Sequence, residues 1–510
     1  MASSFVRNSV VNAVAGIFTT LGGFLGTVLV ARLLGVSGTG IVAFATWAVT
    51  IAVIVSDLGL TGCLPRFLPE LLAKGDDGAA DRLTYRLFKS FLGYITAISL
   101  CFALYAAWLL WLNPAAFAWT IAVDTYTTST LFWLLVGSAG LVQSLGNFVT
   151  CWIKGLQDFG MLARVAAASC IVQALATTVG ALLFGVTGAV AALAAGALMP
   201  VALLVYLPRA RGPISASLRR RVARFSLETW GSYILTAFFA SRMEVFFLER
   251  SWGSHAVGLF TVSLTLSNLA TQGPLLLTGA LLPRLSDHIG RDEADEAREV
   301  YATSVRLMAL LVFPACLGTA AIAPVLLPLM YSATFAPAVP TATILLCAAA
   351  FTATASVAAV YLIAVERTRF LLGTAVFGAA LSILAGLTIV PAFGPVAAAC
   401  ARSGVQVAIA GAMLWYMYRH LRCPTPLGVL AKLLVAAALC AVVARLVVFA
   451  VPSGPGVAIA ILAGALTYAA AIRLIRPLPH NDVEKLRVAV LALPRPLGPA
   501  AHAGLQWIWS

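Results

Sequence analysis

Long apolar segments alternate with short polar ones along almost the whole chain. Fourteen segments stay apolar for roughly 20 residues, the length that an α-helix needs to cross the hydrocarbon core of a bilayer. Prolines such as Pro114, Pro208 and Pro391 stand at or just beyond segment ends, where helices are expected to stop. The predicted spans are 9–31, 39–60, 90–112, 128–150, 161–184, 186–207, 226–248, 256–281, 303–324, 338–363, 369–391, 394–418, 428–451 and 456–476.

Composition supports a membrane protein. The 510 residues are 61% hydrophobic and only 10% charged, whereas a soluble domain carries about 25% charged residues. The first segment is longer than the roughly 7–15 apolar residues of a signal peptide, so we predict that it is a retained span. The sequence therefore predicts an all-α polytopic membrane protein with about fourteen transmembrane helices.

The basic residues set the predicted orientation. Lys and Arg total 33, and all but five lie at the termini or in the connections that follow even-numbered spans. Basic residues accumulate on the cytoplasmic side, so both termini are predicted to be cytoplasmic. The net charge of +14 then reflects topology, and the run "RRRVAR" at 219–224 is interpreted as orientation and contact with anionic lipid. The five exceptions are Arg32, Arg242, Arg250, Arg402 and Arg445.

A short phrase occurs twice, as "LPRF" at 64–67 and "LPRL" at 282–285. We call the separation of the two phrases along the chain the repeat offset. The same offset aligns Arg32 with Arg250, Gly35 with Gly253 and Gly40 with Gly258. Span 1 then corresponds to span 7, which predicts a parallel repeat of six spans. We expect the proline of each phrase to end the second span of its half and the arginine to lie at the lipid headgroups.

The repeat predicts two six-helix lobes around a cleft, an arrangement suited to alternating access. Spans 13 and 14 lie outside the repeat. Three roles remain open for them: closing a lateral gap, holding a lipid tail or anchoring the chain. The predicted divisions are an N-terminal lobe (1–208), a cytoplasmic linker (209–225), a C-terminal lobe (226–422), the two extra helices (423–476) and a cytoplasmic tail (477–510).

The stretch "ARLLGVSGTGIVAFATWAVTIAVIVSDLGL", residues 31–60, resembles the first two spans of the polysaccharide (lipid-linked oligosaccharide) flippase family. The matching parts are Arg32–Gly35, Gly38–Gly40 and Asp57–Gly59. This family belongs to a superfamily with multidrug and toxin extrusion transporters and lipid II flippases. The resemblance implies a bacterial inner-membrane protein that moves an isoprenoid-diphosphate-linked glycan from the cytoplasmic to the outer leaflet. The resemblance implies two kinds of partner: membrane lipids, and polysaccharide polymerase or export proteins. It implies no nucleic acid.

Two other functions remain open. A drug or cation exporter of the same superfamily is one, although such exporters usually have twelve spans. A membrane glycan polymerase or glycosyltransferase is the other, but it needs carboxylates for acid–base catalysis. The longest outer connection, about 113–127, offers only Asp124. We therefore predict a protein that is not an enzyme.

Ionisable residues inside spans cost roughly 2.5–3.5 kcal/mol on insertion scales and so usually serve a function. Arginine binds phosphate oxygens with a two-pronged fork, which makes Arg242 and then Arg402 the leading candidates for the diphosphate. An interhelix salt bridge or snorkelling is the alternative for Arg242, and a backbone carbonyl is the alternative partner of Arg402. The repeat-related Arg32 and Arg250 are candidates near the outer surface, where headgroup contact is the simpler interpretation.

Four further residues complete the candidate site. Asn12 and Asn268 could bind substrate, or could join helices to each other. Glu244 and Asp57 are candidates for ion coupling, with Glu244 the deeper of the two. Asp57 could instead cap a turn or pair with Arg66.

Cofactors are not expected. The nine cysteines show no CxxC or ligand spacing, and the five histidines show no helical pairing within a span. No glycine-rich phosphate loop follows a strand, so ATP hydrolysis by this chain is not expected. An ion gradient, the membrane potential or consumption of the product remain as energy sources.

Overall fold

The computed structural model describes residues 2–112, 120–210, 212–240, 242–275, 281–291, 293–423, 425–479 and 481–484. Side chains are described for all of these except 2–21, 232–233, 235–240, 283–284 and 368. Within these ranges the regular secondary structure is helical, with no β-strand. The helices are α1 (Ala2–Asp57), α2 (Leu60–Ala73), α3 (Asp77–Leu112), α4 (Thr130–Gly155), α5 (Phe159–Ala191), α6 (Leu198–Ala202), α7 (Ala216–Ala240), α8 (Met243–Leu275), α9 (Leu281–Gly290), α10 (Ala294–Met330), α11 (Val339–Ala364), α12 (Thr368–Thr388), α13 (Val390–Leu421), α14 (Leu427–Ala450) and α15 (Gly454–Ile475).

The helices are long and apolar enough to form a multi-pass membrane protein. Ten helical segments within the described ranges meet the length and hydropathy of a membrane span. Two of them, Gly22–Asp57 and Phe159–Tyr206, contain 36 and 48 residues. Each contains two of the predicted spans, because a glycine with non-helical backbone divides it: Gly35 in the first and Gly185 in the second. Helices α7 and α8 cover predicted spans 7 and 8, and the all-α polytopic fold is confirmed.

The described chain divides into two units. Unit 1 contains Met1–Thr261 and Gly386–Pro395, and its core includes the buried rings of Phe67, Phe91 and Phe148. Unit 2 contains Val262–Ala385 and Val396–Ser510, with a core around Tyr301 and Phe313.

Large apolar side chains also lie on the outside, including Phe449 at 83% exposure and Leu474 at 87%. Such exposure suits a lipid-facing surface, because hydrocarbon does not penalise it.

Single glycines make the turns inside four of the long helices. Gly35 has φ 70° and ψ −168°, and its repeat-related partner Gly253 has φ 71° and ψ −175°. Gly185 and Gly394 adopt the same class of conformation. Only glycine adopts this backbone region readily, because a Cβ would clash. Each glycine kinks its helix at a point where the sequence predicts a very short outer connection.

The repeat continues beyond the first two spans of each half, with a changed offset. Leu112 and Met330, which end α3 and α10, are still separated by the repeat offset. Thr130 and Val339, which begin α4 and α11, are separated by nine positions fewer than that offset. Connection 331–338 is nine residues shorter than connection 113–129, which accounts for the change. Gln157 and Glu366, separated by this reduced offset, share a left-handed backbone (φ 59° and 57°). Both halves therefore follow one helical plan.

Repeat-related glycines pack backbone against backbone in unit 1. A Cβ on Gly40 would lie 1.7 Å from the carbonyl oxygen of Ser254, and a Cβ on Gly258 would lie 2.1 Å from that of Val36. Val36 and Ser254 are themselves related by the repeat offset. The contact is thus reciprocal, as at a local twofold axis, and it admits no side chain at either glycine.

The prediction that proline ends span 2 is wrong. The helix breaks earlier, at Leu58 (φ 45°) and Gly59 (φ 72°), and Pro65 lies inside α2. The break is stabilised from α7, because the Ser226 hydroxyl donates a hydrogen bond to the Leu58 carbonyl. "LPRF" therefore belongs to a separate helix. "LPRL" likewise falls in the first turns of α9, and the side chains of residues 283 and 284 lie outside the described residues.

The start of the predicted cytoplasmic tail is docked on unit 2. Asp482 is 1% exposed, accepts a hydrogen bond from the Thr303 hydroxyl at 2.9 Å and forms an ion pair with Arg306. Thr303 and Arg306 lie one turn apart on α10. The tail thus begins as a buried contact on that helix.

Glu70 on α2 collects three cations at the predicted cytoplasmic surface. Arg221 on α7 binds both carboxylate oxygens, at 3.2 and 3.1 Å, and Lys74 and Arg66 bind from one turn away on α2. Hydrogen bonds from Arg221 and then Lys74 lower the pKa of Glu70 from 4.5 to about 2. The carboxylate therefore fastens α7 to α2.

We predict that Gly258→Ala lowers stability, because the new methyl group would meet the Val36 carbonyl. Overpacking of this kind costs about 1–3 kcal/mol. The measurement is the thermal unfolding midpoint of the purified protein in detergent. Gly93→Ala is the matched control, since a Cβ there meets nothing within 4 Å. Equal midpoints for Gly258→Ala and Gly93→Ala would contradict the reciprocal contact.

We predict a pH-dependent contribution from Glu70. Its folded pKa lies below 4.5, so its stabilising effect is present above that pH and is lost as pH falls toward 2. The midpoint difference between wild type and Glu70→Gln should therefore shrink as pH is lowered from about 6 to about 3. Glu228→Gln removes a more exposed, Arg224-paired carboxylate as control. A difference independent of pH would count against the clamp.

Candidate functional site

A polar cavity of about 210 Å³ lies among three helices of unit 2. Helices α8, α11 and α13 form its walls, in the parts of those helices that belong to unit 2. Asn268 and Arg402, both predicted substrate-binding residues, line it together. The structure thus brings two candidates that are distant in the chain to one site.

Each wall contributes a polar pair one helical turn apart. Ser267 and Thr271 come from α8 beside Asn268, Thr352 and Ser356 from α11, and Arg402 and Gln406 from α13. Residues four apart lie on the same face of a helix, so each pair points the same way. The three pairs converge on the cavity.

Most of the serine and threonine hydroxyls that line the cavity already donate hydrogen bonds to backbone carbonyls. Ser267 donates across the wall to the Leu345 carbonyl at 3.3 Å, and Ser356 donates to the Ala353 carbonyl in its own helix at 2.6 Å. Thr271 donates to the carbonyls of Ser267 and Asn268. These bonds satisfy the hydroxyls inside an apolar bundle and fix their lone pairs.

The cavity combines one permanent cation with amides and hydroxyls. An arginine, an asparagine and a glutamine suit an anionic group that carries neighbouring hydroxyls, because guanidinium donors match phosphate oxygens and amides both donate and accept. At about 210 Å³ the cavity is smaller than the roughly 300–1,000 Å³ of drug-sized sites. It can hold a diphosphate-sized group but not a whole oligosaccharide.

Arg242 does not share this cavity. It belongs to unit 1, whereas Arg402 belongs to unit 2. The expectation that Arg242 lies within a continuous helix over 226–248 is wrong: α7 ends at Ala240, α8 begins at Met243, and Arg242 between them has φ 54°. Its carbonyl accepts a hydrogen bond from the Val245 amide and so opens α8.

The remaining candidates also belong to unit 1. Arg32 and Arg250 are exposed and each stands three residues before a turn glycine. Glu244 is 7% exposed in the first turn of α8. Asp57 is buried and accepts a hydrogen bond from the Thr61 amide at 3.1 Å, which caps α2, while Arg66 pairs with Glu70. The Asn12 side chain lies outside the described residues.

Sequence reasoning missed the hydroxyls of the cavity. Ser267, Thr271, Thr352 and Ser356 are common residues in transmembrane helices, and none carries a signal alone. The useful signal is their spacing, since each polar pair is separated by four residues in spans 8, 10 and 12. A search for such pairs would have grouped them with Arg402 and Gln406.

Solved structures with the same fold are transporters and flippases. "Lipid II flippase MurJ, inward closed conformation" matches with a TM-score of 0.72 at 13% identity, covering 90% of this chain and 97% of that one. An inward-facing multidrug resistance MATE family transporter of the MOP superfamily matches with a TM-score of 0.64 at 15% identity, covering 79% and 95%. At these identities the likeness establishes the fold alone.

The sequence profile of the family "Polysaccharide biosynthesis protein" matches residues 29–340, and that of "Lipid II flippase MurJ" matches residues 275–462. The first match covers more than half of the chain, so the chain belongs to the polysaccharide biosynthesis protein family. The resemblance seen in residues 31–60 is thereby confirmed. No curated protein matches the sequence significantly.

We predict that the cavity binds a diphosphate through Arg402. The probe is farnesyl diphosphate, with affinity measured on the purified protein in detergent. Arg402→Gln should weaken binding at least tenfold, about 1.4 kcal/mol, because a charge-assisted bond is lost. Arg445→Gln is the control, since Arg445 is also intramembrane but bonds to the Ala321 carbonyl instead. Unchanged affinity in Arg402→Gln would remove the diphosphate from this cavity.

Proposed function

We propose that the protein is a flippase for an isoprenoid-diphosphate-linked oligosaccharide, working by alternating access. The observation that carries the proposal is the Arg402 cavity, placed within a fold and a family tied to lipid-linked glycans. The family profile connects the chain to polysaccharide biosynthesis, and one structural relative is a lipid II flippase. A saccharide carried across the bilayer on a lipid is the substrate class that accommodates both.

The lining of the cavity supports this substrate class. Arg402 would hold the diphosphate, and Asn268 and Gln406 would bind the first sugar or the bridging oxygens. Arg242 is proposed as a second basic contact, reached at another stage of transport. Arg32 and Arg250 would meet the headgroup near the outer surface, and Glu244 or Asp57 would couple an ion. The proposed direction, from the cytoplasmic to the outer leaflet, is the one that the family resemblance implies.

A drug exporter is the second candidate, because MATE transporters share the fold. Arginine in the wall of a cavity repels cationic drugs, and the residues described as lining this one include no carboxylate. The same cavity therefore favours an anionic substrate.

The test uses cells that lack the protein and are complemented with variants. We expect Arg402→Ala to reduce the oligosaccharide-lipid that reaches the outer leaflet at least tenfold, with Arg242→Ala also defective. Lipid extracts analysed by mass and by leaflet-selective labelling provide the measurement, and protein levels are checked by blotting. Arg445→Ala should transport normally, as an intramembrane arginine outside the cavity.

Each other outcome has a meaning. If cells lacking the protein accumulate lipid-linked oligosaccharide in the outer leaflet but do not polymerise it, the protein would be a polymerase. No change in lipid-linked glycan would overturn the flippase proposal in favour of the exporter. Normal transport by Arg402→Ala, with a clear defect in cells lacking the protein, would keep the flippase and discard the cavity.

A further inference from the structure

A second opening, lined mostly by apolar residues, lies in unit 1 between α3 and α7, and we name it the α3–α7 groove. Its volume is about 260 Å³. Leu58 and Leu60, from the turn between α1 and α2, contribute to its lining. Its two walls are formed by Arg86, Ser90 and Tyr94 on α3 and by Arg219, Ala223 and Leu227 on α7.

The groove has a basic end and an apolar end. Arg86 and Tyr94 are eight residues apart, as are Arg219 and Leu227, so each wall extends about 12 Å from its arginine. Predicted spans 3 and 7 begin at residues 90 and 226, between these two ends. These span bounds predict that both arginines lie at the membrane boundary and that Tyr94 (45% exposed) and Leu227 (63% exposed) lie on its hydrocarbon side.

The two arginines differ from their neighbours in having no acidic partner among the described side chains. Arg221 and Arg224, on the same helix as Arg219, bind Glu70 and Glu228. The two groove arginines form no ion pair within the described part of the chain and are exposed on opposite walls. Two unneutralised guanidinium groups thus face one opening above an apolar slot.

We propose that the α3–α7 groove binds an anionic phospholipid, with its phosphate between Arg86 and Arg219 and an acyl chain passing toward Tyr94 and Leu227. The charge at one end and the apolar lining at the other match the two parts of a lipid in the same order.

The polar lining of the groove favours a simple phospholipid over a glycan carrier. Besides the tyrosine, the hydroxyls described along it are those of Ser90 and Ser226, and Ser226 already bonds to Leu58. The described lining contains none of the amides found in the Arg402 cavity. A sugar would therefore find few hydrogen-bond partners here.

The test is native mass spectrometry of the purified full-length protein with added phosphatidylglycerol or phosphatidylcholine. Wild type should retain phosphatidylglycerol preferentially. The double variant Arg86→Gln/Arg219→Gln should lose at least fivefold of that binding. Ala223→Trp, which fills the groove from an exposed position without changing charge, should lose it too.

Lys89→Gln/Arg220→Gln is the matched control, because it removes the same charge from the same two helices outside the groove. It should bind phosphatidylglycerol like wild type. Equal losses in the control would show general electrostatic attraction and overturn the site. Full binding by Ala223→Trp, or displacement of the lipid by glycerol phosphate alone, would overturn the acyl-chain contact. The assay measures binding alone, so its result is independent of whether the protein is a flippase.

Discussion

Hydrocarbon offers no hydrogen-bond partner, so every backbone N–H and C=O inside the membrane must find one within the chain. This constraint explains why the described chain is helical and why its sharpest turns use single glycines. At Gly35 and Gly253 the helix kinks without adding a loop. The hydroxyls follow the same constraint, since Ser356 and Thr271 donate to carbonyls of their own helices. What remains available for a substrate is therefore concentrated in a few arginines and amides.

The repeat depends on the same constraint. Two helices can pack backbone to backbone only where both lack side chains, and Gly40 and Gly258 meet that condition reciprocally. Such a contact replaces the hydrophobic driving force that is missing between helices in lipid. This contact also explains why both halves have glycine at these positions, although most other aligned residues of the two halves differ. The connection between spans 3 and 4 is free of this restriction, and it is there that the two halves differ by nine residues.

Spans, fold class and repeat were predictable because they depend on composition and period. Arg32, Gly35 and Gly40 indicate the register of the repeat from sequence alone. The helix break at Arg242 was not predictable, since "FASRMEV" contains no proline or glycine to mark it. Pro65 led to the wrong helix end, because the helix had already broken at Leu58 and the proline lies in the second turn of the next helix. Gly59 (φ 72°) is a local signal for that break, and a tertiary contact from α7 stabilises it.

Among the described arginines, Arg221, Arg402 and the pair Arg86 and Arg219 differ in their surroundings, and sequence position alone does not distinguish them. Arg221 is neutralised by Glu70 and holds two helices together. Arg402 lies among amides and hydroxyls, where a polar anion finds several hydrogen-bond partners. Arg86 and Arg219 stand over an apolar slot, where a ligand with a charged end and an apolar end gains from both. The same side chain therefore acts as a clamp, a substrate contact or a lipid contact according to the groups packed around it, and those groups come from helices distant in sequence.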